Sequence, residues 1–187
     1  MRLAFKEWAV IVDALGRGDQ ILILRKGGIH EGPGGFKLEQ REFLLFPTQF
    51  HQQRESVLPA AQAGFDPSPA VEGRVRIEYF ASVAQARRLD SLQDLEGLKG
   101  QHIWRDEVLA ARFEWGRQQT ILALAVRVHR LDHSVDLPLL PGYGGCKSWI
   151  ELEREISTEG IRPVLNDAEF EMKMSRLWAP GTETIRV

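Results

Sequence analysis

The segment Thr120–Leu131, TILALAVRVHRL, constrains the fold of this chain more than any other. Leu122, Leu124, Val126 and Val128 fall on one face of an extended backbone. Ala123, Ala125, Arg127 and His129 fall on the other, small at one end and basic at the other. A period of two is a strand period, and a strand needs a sheet around it. Gly73–Ser82 alternates in the same way, with Val75, Ile77 and Tyr79 opposite Arg74, Arg76, Glu78 and Phe80. Gln20–Lys26 and Phe43–Thr48 are further predicted strands, the second ending near Pro47, which has no N–H to give a ladder.

Helices are predicted between these strands. Residues 5–15 read as a short helix closed by Gly16 and Gly18. The β-branched run Val10, Ile11, Val12 supports a rival strand there. Val83–Leu98 and Asp106–Trp115 are predicted helices, the latter with two acids in its first turn, where the helix dipole favours them. Residues 166–177 form a C-terminal helix that Asn166 or Asp167 can cap. Residues 57–73 carry Pro59, Gly64, Pro67, Pro69 and Gly73, and are predicted to be a flexible loop. Strands and helices do not alternate regularly, which argues against a doubly wound parallel sheet. The expected architecture is α+β: a single domain over residues 1–187, with a mixed or antiparallel sheet and helices on one side.

Composition narrows the function. The chain is 43% apolar and 27% charged, as ordinary globular proteins are. No run approaches the roughly 18 apolar residues of a membrane span, and the first apolar stretch is broken by Lys6, Glu7 and Asp13. A cytoplasmic protein without a membrane partner is expected. The one cysteine, Cys146, excludes an internal disulfide and a multi-cysteine zinc site. A net charge of −2 does not suit a sequence-blind nucleic-acid coat, so any nucleic acid must meet a local patch.

That patch is expected between Arg25 and Gln52. Lys26, His30, Glu31, Arg41 and His51 stand there around two glycine clusters and an apolar strand. Polar side chains at this density are costly to bury and unnecessary for folding. Glycines let a backbone approach another molecule closely. Arg25, Lys26, Arg41 and, if it folds nearby, Lys147 are candidates for phosphate. His30, Glu31, His51 and Gln52 offer polar edges. Phe36, Tyr143 and Trp149 offer stacking planes. Cys146 sits in a glycine turn beside Lys147, where its thiol could be exposed.

No metal-ligand spacing is evident, and no cofactor is expected. His129 and His133 lie four apart, but on a predicted strand rather than the helix that a zinc pair of that spacing needs. Glu171-Met172-Lys173 matches an acidic-x-Lys nuclease element only superficially, because it falls in the C-terminal helix.

Three blocks of the chain, KEWAVIVDALGRGDQILILRKGGIHE, REFLLFPTQFHQ and PGYGGCKSW, resemble a bacterial family known as a domain of unknown function, number eighteen-oh-two. The likeness runs from about Phe5 to Leu152. It implies no established activity. It does imply an association with restriction-endonuclease domains, and so a part in restriction or DNA recognition. A second resemblance rests on Trp8, then Gly18, then a strand ending in Arg25, which is similar to the opening of PUA-like domains of the ASCH and EVE type. Where that pattern has a lysine and a glutamate between the glycine and the arginine, this chain has Asp19, Gln20 and Ile23. The resemblance implies a small β-barrel with flanking helices that reads RNA or a modified base beside its first helix.

Three functions fit these residues. One is a module binding DNA, RNA or a nucleotide, with a restriction-nuclease subunit as a possible partner. The second is a hydrolase or metal-assisted enzyme using His30, Glu31, His51 and Cys146. The third is a regulatory subunit whose partner covers the glycine-rich segment. Which applies depends on whether Arg25–Gln52 and the turn before Trp149 meet in space.

Overall fold

The computed structural model describes residues 1–26, 38, 40–49, 52–65, 73–116, 118–145 and 147–178. Its strands are β1 (Leu3–Trp8), β2 (Leu22–Arg25), β3 (Glu42–Thr48), β4 (Arg74–Leu89), β5 (Ile121–Pro138), β6 (Trp149–Glu151) and β7 (Arg162–Pro163). Its α-helices are α1 (Ala9–Arg17), α2 (Leu92–Glu96), α3 (Asp106–Glu114) and α4 (Asp167–Ser175). The strands form one sheet in the order β2-β5-β4-β3-β1-β6, with β7 added to β5. β1 runs parallel to β3 and every other pair is antiparallel, so the sheet is mixed. It curls into a half-barrel, and the α+β architecture expected from the strand and helix order is the observed one.

The two faces of the sheet carry separate cores, and the alternation of side chains assigns each residue to one of them. Phe5, Phe43 and Leu45 enter a large core with α1, β2, the first half of β5 and α3. Their neighbours Ala4, Leu44 and Phe46 enter a smaller one with Ile77, Leu131, Tyr143 and Ile150.

The first predicted helix needs correction. Residues 3–8 are a strand and the helix begins only at Ala9. β1 lies between β3 and β6 with both faces covered, so Ala4–Lys6 show no exposed alternation that a sequence reader could recognise. Trp8 occupies the N-cap position without a side-chain cap of its own. The side chain of Gln52 takes that role, its Oε1 accepting from the Val10 N–H at 3.1 Å. Gly16 does not end α1. It lies within the helix, where a Cβ would stand 2.2 Å from the Tyr79 ring, so its hydrogen is what lets the helix lie against β4. Gly18, at φ +74°, is the stop, with the Asp19 N–H returning to Ala14 O as the chain leaves the helix.

The second correction concerns residues 83–89, which continue β4 instead of opening a helix. From Val83 to Gln85 β4 advances two residues while β5 moves only from Val126 to Ala125. The surplus residue sets the buried Val83 and Ala86 three apart, and with Leu89 also buried the spacing imitates a helix. A larger irregularity lies below it: β4 passes from Ile77 to Tyr79 while β5 passes from Val135 to Arg130. β5 runs on to Pro138, past the strand read from the sequence over Thr120–Leu131. Within 57–73, residues Pro59–Phe65 are 3-10 helix with Ala61 in the large core, and Val57 bridges to Trp104. Residues 66–72 lie outside the described part. Pro47 is tolerated inside β3 because the ladder with β4 runs from Glu42 only to Leu44, so Pro47 lies beyond it. The strands Leu22–Arg25 and Glu42–Thr48 and the helices α3 and α4 form where the sequence places them.

His102 yields a prediction. It is 5% exposed, and among the described residues neither ring nitrogen has a hydrogen-bond partner. Burial pushes its pKa below the ordinary value, outweighing the nearby Asp106. The unfolded chain takes up the proton near pH 6.5, while the folded chain resists it. Stability is therefore full above about pH 6.5 and falls as pH drops from there toward the depressed folded value, by up to about 1.4 kcal/mol per unit. His129, pushed down by burial and by Arg127, acts in the same direction. Urea unfolding at pH 7 and 5.5 should show His102→Phe losing less stability on acidification than the unsubstituted chain.

Candidate functional site

The end of β1 carries two charged residues, Lys6 and Glu7, into the junction with α1. Lys6 and Glu7 are 7% and 2% exposed, and Ser148, across from them, is 3% exposed. Burial of such groups is tolerated only when they are paired, and these are. The Lys6 ammonium donates to Gly145 O at 2.7 Å, and the Lys6 N–H donates to Ser148 O at 2.8 Å, fastening the turn before β6 onto β1. Glu7 Oε1 accepts from the Trp8 N–H at 2.8 Å, and its Oε2 lies 3.5 Å from the Arg25 guanidinium. Arg25 also donates to Ser148 Oγ at 2.6 Å and lies over the Phe5 ring at 4.9 Å.

A third cation closes the cluster from α3. Arg112 stands 3.8 Å from the centre of the Trp104 ring and 5.3 Å from that of Trp8, and the two indoles are 4.8 Å apart. Burial lowers the Arg112 pKa. Glu7 pulls it back up and the like charge of Arg25 presses it down, which places all three groups in one electrostatic field. Around the carboxylate of Glu7 the fold therefore gathers Arg25 and Arg112, while Lys6, its neighbour in β1, reaches to Gly145. The local balance is positive in a chain of net charge −2.

Aromatic groups flank the charges. Trp149 pairs with Phe5 across β1 and β6 and packs edge-on against Phe5 at 4.9 Å and Phe43 at 5.2 Å, itself half-buried. Gln52 spends its carbonyl oxygen on α1, so its amide N–H groups are what it can offer a ligand. Lys147 is exposed in the turn that Lys6 holds.

The structure thus brings Arg25, Gln52, Lys147 and Trp149 to one junction. Other residues named from the sequence lie elsewhere. Arg41 precedes β3, at the end of the β1–β3 pair away from Trp8, and its carbonyl accepts from the Val83 N–H. Tyr143 is buried in the smaller core against Phe46, its hydroxyl accepting from the Glu153 N–H at 2.9 Å. Lys26 turns to α3, donating to Phe113 O at 2.6 Å and to Gln118 O, and burial lowers its pKa. His30, Glu31, Phe36, His51 and Cys146 lie outside the described residues. The nuclease-like Glu171 and Lys173 are in α4, where the Lys173 ammonium donates to Asp19 O at 3.0 Å. Among the described residues no group of three His, Cys, Asp or Glu side chains could hold a metal ion, and no helix is long and apolar enough to cross a membrane.

Sequence reasoning missed Lys6, Glu7, Trp8, Trp104, Arg112 and Ser148. A signal was present for the first three: a Lys-Glu pair followed by tryptophan within the otherwise apolar stretch before α1.

The family described as a domain of unknown function (DUF1802) matches residues 4–176, beyond the reach of the three sequence blocks and into α4. No curated protein matches the chain. Among solved structures, a serine-to-alanine mutant of the ASCH protein of Zymomonas mobilis superposes with a TM-score of 0.50 at 11% identity, covering 92% of each chain. The same protein without that mutation gives 0.49 at 11% identity, again covering 92% of each chain. At such identity the likeness concerns the fold alone. The fold is the ASCH-like, PUA-type one that Trp8, Gly18 and Arg25 suggested.

Proposed function

Because this chain belongs to the DUF1802 family and carries an ASCH-like fold, we propose that it is a nucleic-acid-binding module that holds a base at the start of α1. The observation that carries this reading is the convergence of Arg25 and Arg112 on Glu7, beside the half-buried rings of Trp8 and Trp149. Cations that attract phosphate, a ring that can stack and fixed donors for a base edge are the components of nucleotide recognition. Lys147 supplies a phosphate contact, Gln52 donates to a base edge, and Trp149 or Trp8 stacks. The base is a modified or flipped one in DNA or RNA, and extracting it costs a few kcal/mol that stacking and edge contacts offset. A restriction-nuclease subunit is the partner class the proposal names.

Fluorescence anisotropy tests it with short single-stranded RNA and DNA and with duplexes carrying plain or modified bases. Binding should weaken steeply between 50 and 200 mM salt, as it does for contacts that displace counterions. Lys147→Ala should reduce the slope of log K against log salt by about 0.7–0.9, one phosphate's worth. No salt-sensitive binding to any of these probes at low ionic strength refutes the reading.

A further inference from the structure

Trp115 is 59% exposed, the most exposed large hydrophobic among the described residues and the one aromatic in that group. It is held there by its surroundings. It ends α3, its N–H still donating to Ala111 O at 3.0 Å, and Gly116 at φ +82° turns the chain away behind it. The ring of Phe113, 4% exposed, anchors the last helical turn in the large core. The Lys26 ammonium then takes the carbonyls on both sides of Trp115, those of Phe113 and Gln118, and lies 5.7 Å from the centre of the Phe113 ring. Lys26 follows Arg25 directly, so the segment bearing the indole is tied to the same strand end that supplies the guanidinium of the cluster. Arg112 stands three residues earlier on the same helix. Arg112, over the Trp8 ring, and Lys26, next to Arg25 in the chain and bonded to carbonyls on both sides of Trp115, thus link the junction to the exposed indole, with Glu114 as the anionic neighbour of Trp115 on its own helix. Leaving so large an apolar ring in water has no folding benefit.

The geometry points to Trp115 as a second stacking platform, which receives the base next to the one held at α1 and makes single-stranded nucleic acid the ligand class. The inference rests on the proposed function and extends it. A pre-positioned indole costs little conformational entropy on binding, since Lys26 already fixes its backbone. Backbone phosphate between the two bases would pass the part-exposed Arg25, where the charge suits it.

The test uses an eight-nucleotide single-stranded RNA of mixed sequence, the DNA of the same sequence, and the four mononucleotides. Trp115→Ala should weaken oligonucleotide binding on the order of tenfold, with Trp115→Phe keeping most of it. Mononucleotide binding should stay within about twofold, since one base does not reach the platform. Because the indole is exposed, both variants should unfold at the same urea concentration as the unsubstituted chain. If the unsubstituted protein binds the oligonucleotides and Trp115→Ala binds them equally well, the second platform is wrong while the site at α1 stands. If the unsubstituted protein binds no oligonucleotide, both fall together.

Discussion

Replacing Glu7 by alanine is expected to cost about 3–5 kcal/mol of folding stability, the usual result of stripping one partner from a buried ion pair. The carboxylate is 2% exposed and lies against Arg25, with Arg112 close enough to respond to its charge. Without it, the like charges of Arg25 and Arg112 lose the anion that offsets them, and the Trp8 N–H loses its acceptor at the entrance to α1. Glu7→Gln keeps an oxygen for that N–H and should cost less, which separates the charge from the hydrogen bond. Urea unfolding at pH 7 measures both variants. A Glu7→Ala protein with an unchanged midpoint and slope would mean that the two arginines do not depend on the carboxylate. In the double variant Glu7→Ala/Arg25→Met the cost should be less than the sum of the two single costs, because the groups share one interaction.

Trp104→Ala should cost a similar amount, about 3–5 kcal/mol, as large-to-small core substitutions of tryptophan do. Trp104 is among the largest fully buried side chains. Its segment links distant parts of the chain: Leu58 N–H donates to Ile103 O at 2.8 Å, Arg105 N–H to Ser56 O at 3.1 Å, and Ile103 N–H to Gln20 Oε1 at 3.0 Å. Loss of the ring would also free Arg112 from the surface that fixes its guanidinium and would leave Trp8 without its indole neighbour. Two readouts are therefore expected to move together. The urea midpoint should fall, and nucleic-acid affinity should drop even in conditions where the variant is fully folded. Trp104→Phe, which retains a ring, should recover most of both. A variant that binds normally once folded would show that Arg112 does not need its indole support.

What the sequence disclosed and what it concealed follow from packing. β5 was legible because its two faces differ in chemistry, and α3 and α4 because acids and an asparagine mark their starts. β1 was concealed by its position, buried on both faces between two strands, so Ala4, Phe5, Lys6 and Glu7 present no polar side to read. Residues 83–89 misled because one surplus residue in β4 turns a period of two into an apparent period of three. For the site, Arg25, Gln52 and Trp149 were visible as polar or aromatic groups beside glycine-rich segments. Arg112 was not, since an arginine on a short amphipathic helix usually faces solvent and only the fold brings it over Trp104. Glu7 looked like the polar side of a helix that does not exist there.

The position of β1 has a consequence for how the protein is made. Its partners are β3 on one side and β6, residues 149–151, on the other, and Ser148 supplies both an oxygen to Lys6 and a hydroxyl to Arg25. A nascent polypeptide emerging from the ribosome can pair β4 with β5 before those residues follow. It cannot complete the charged junction until Ser148 and β6 have followed. Closure of the buried charges at the start of α1 is thereby made to wait for a segment that leaves the ribosome after the long hairpin of β4 and β5.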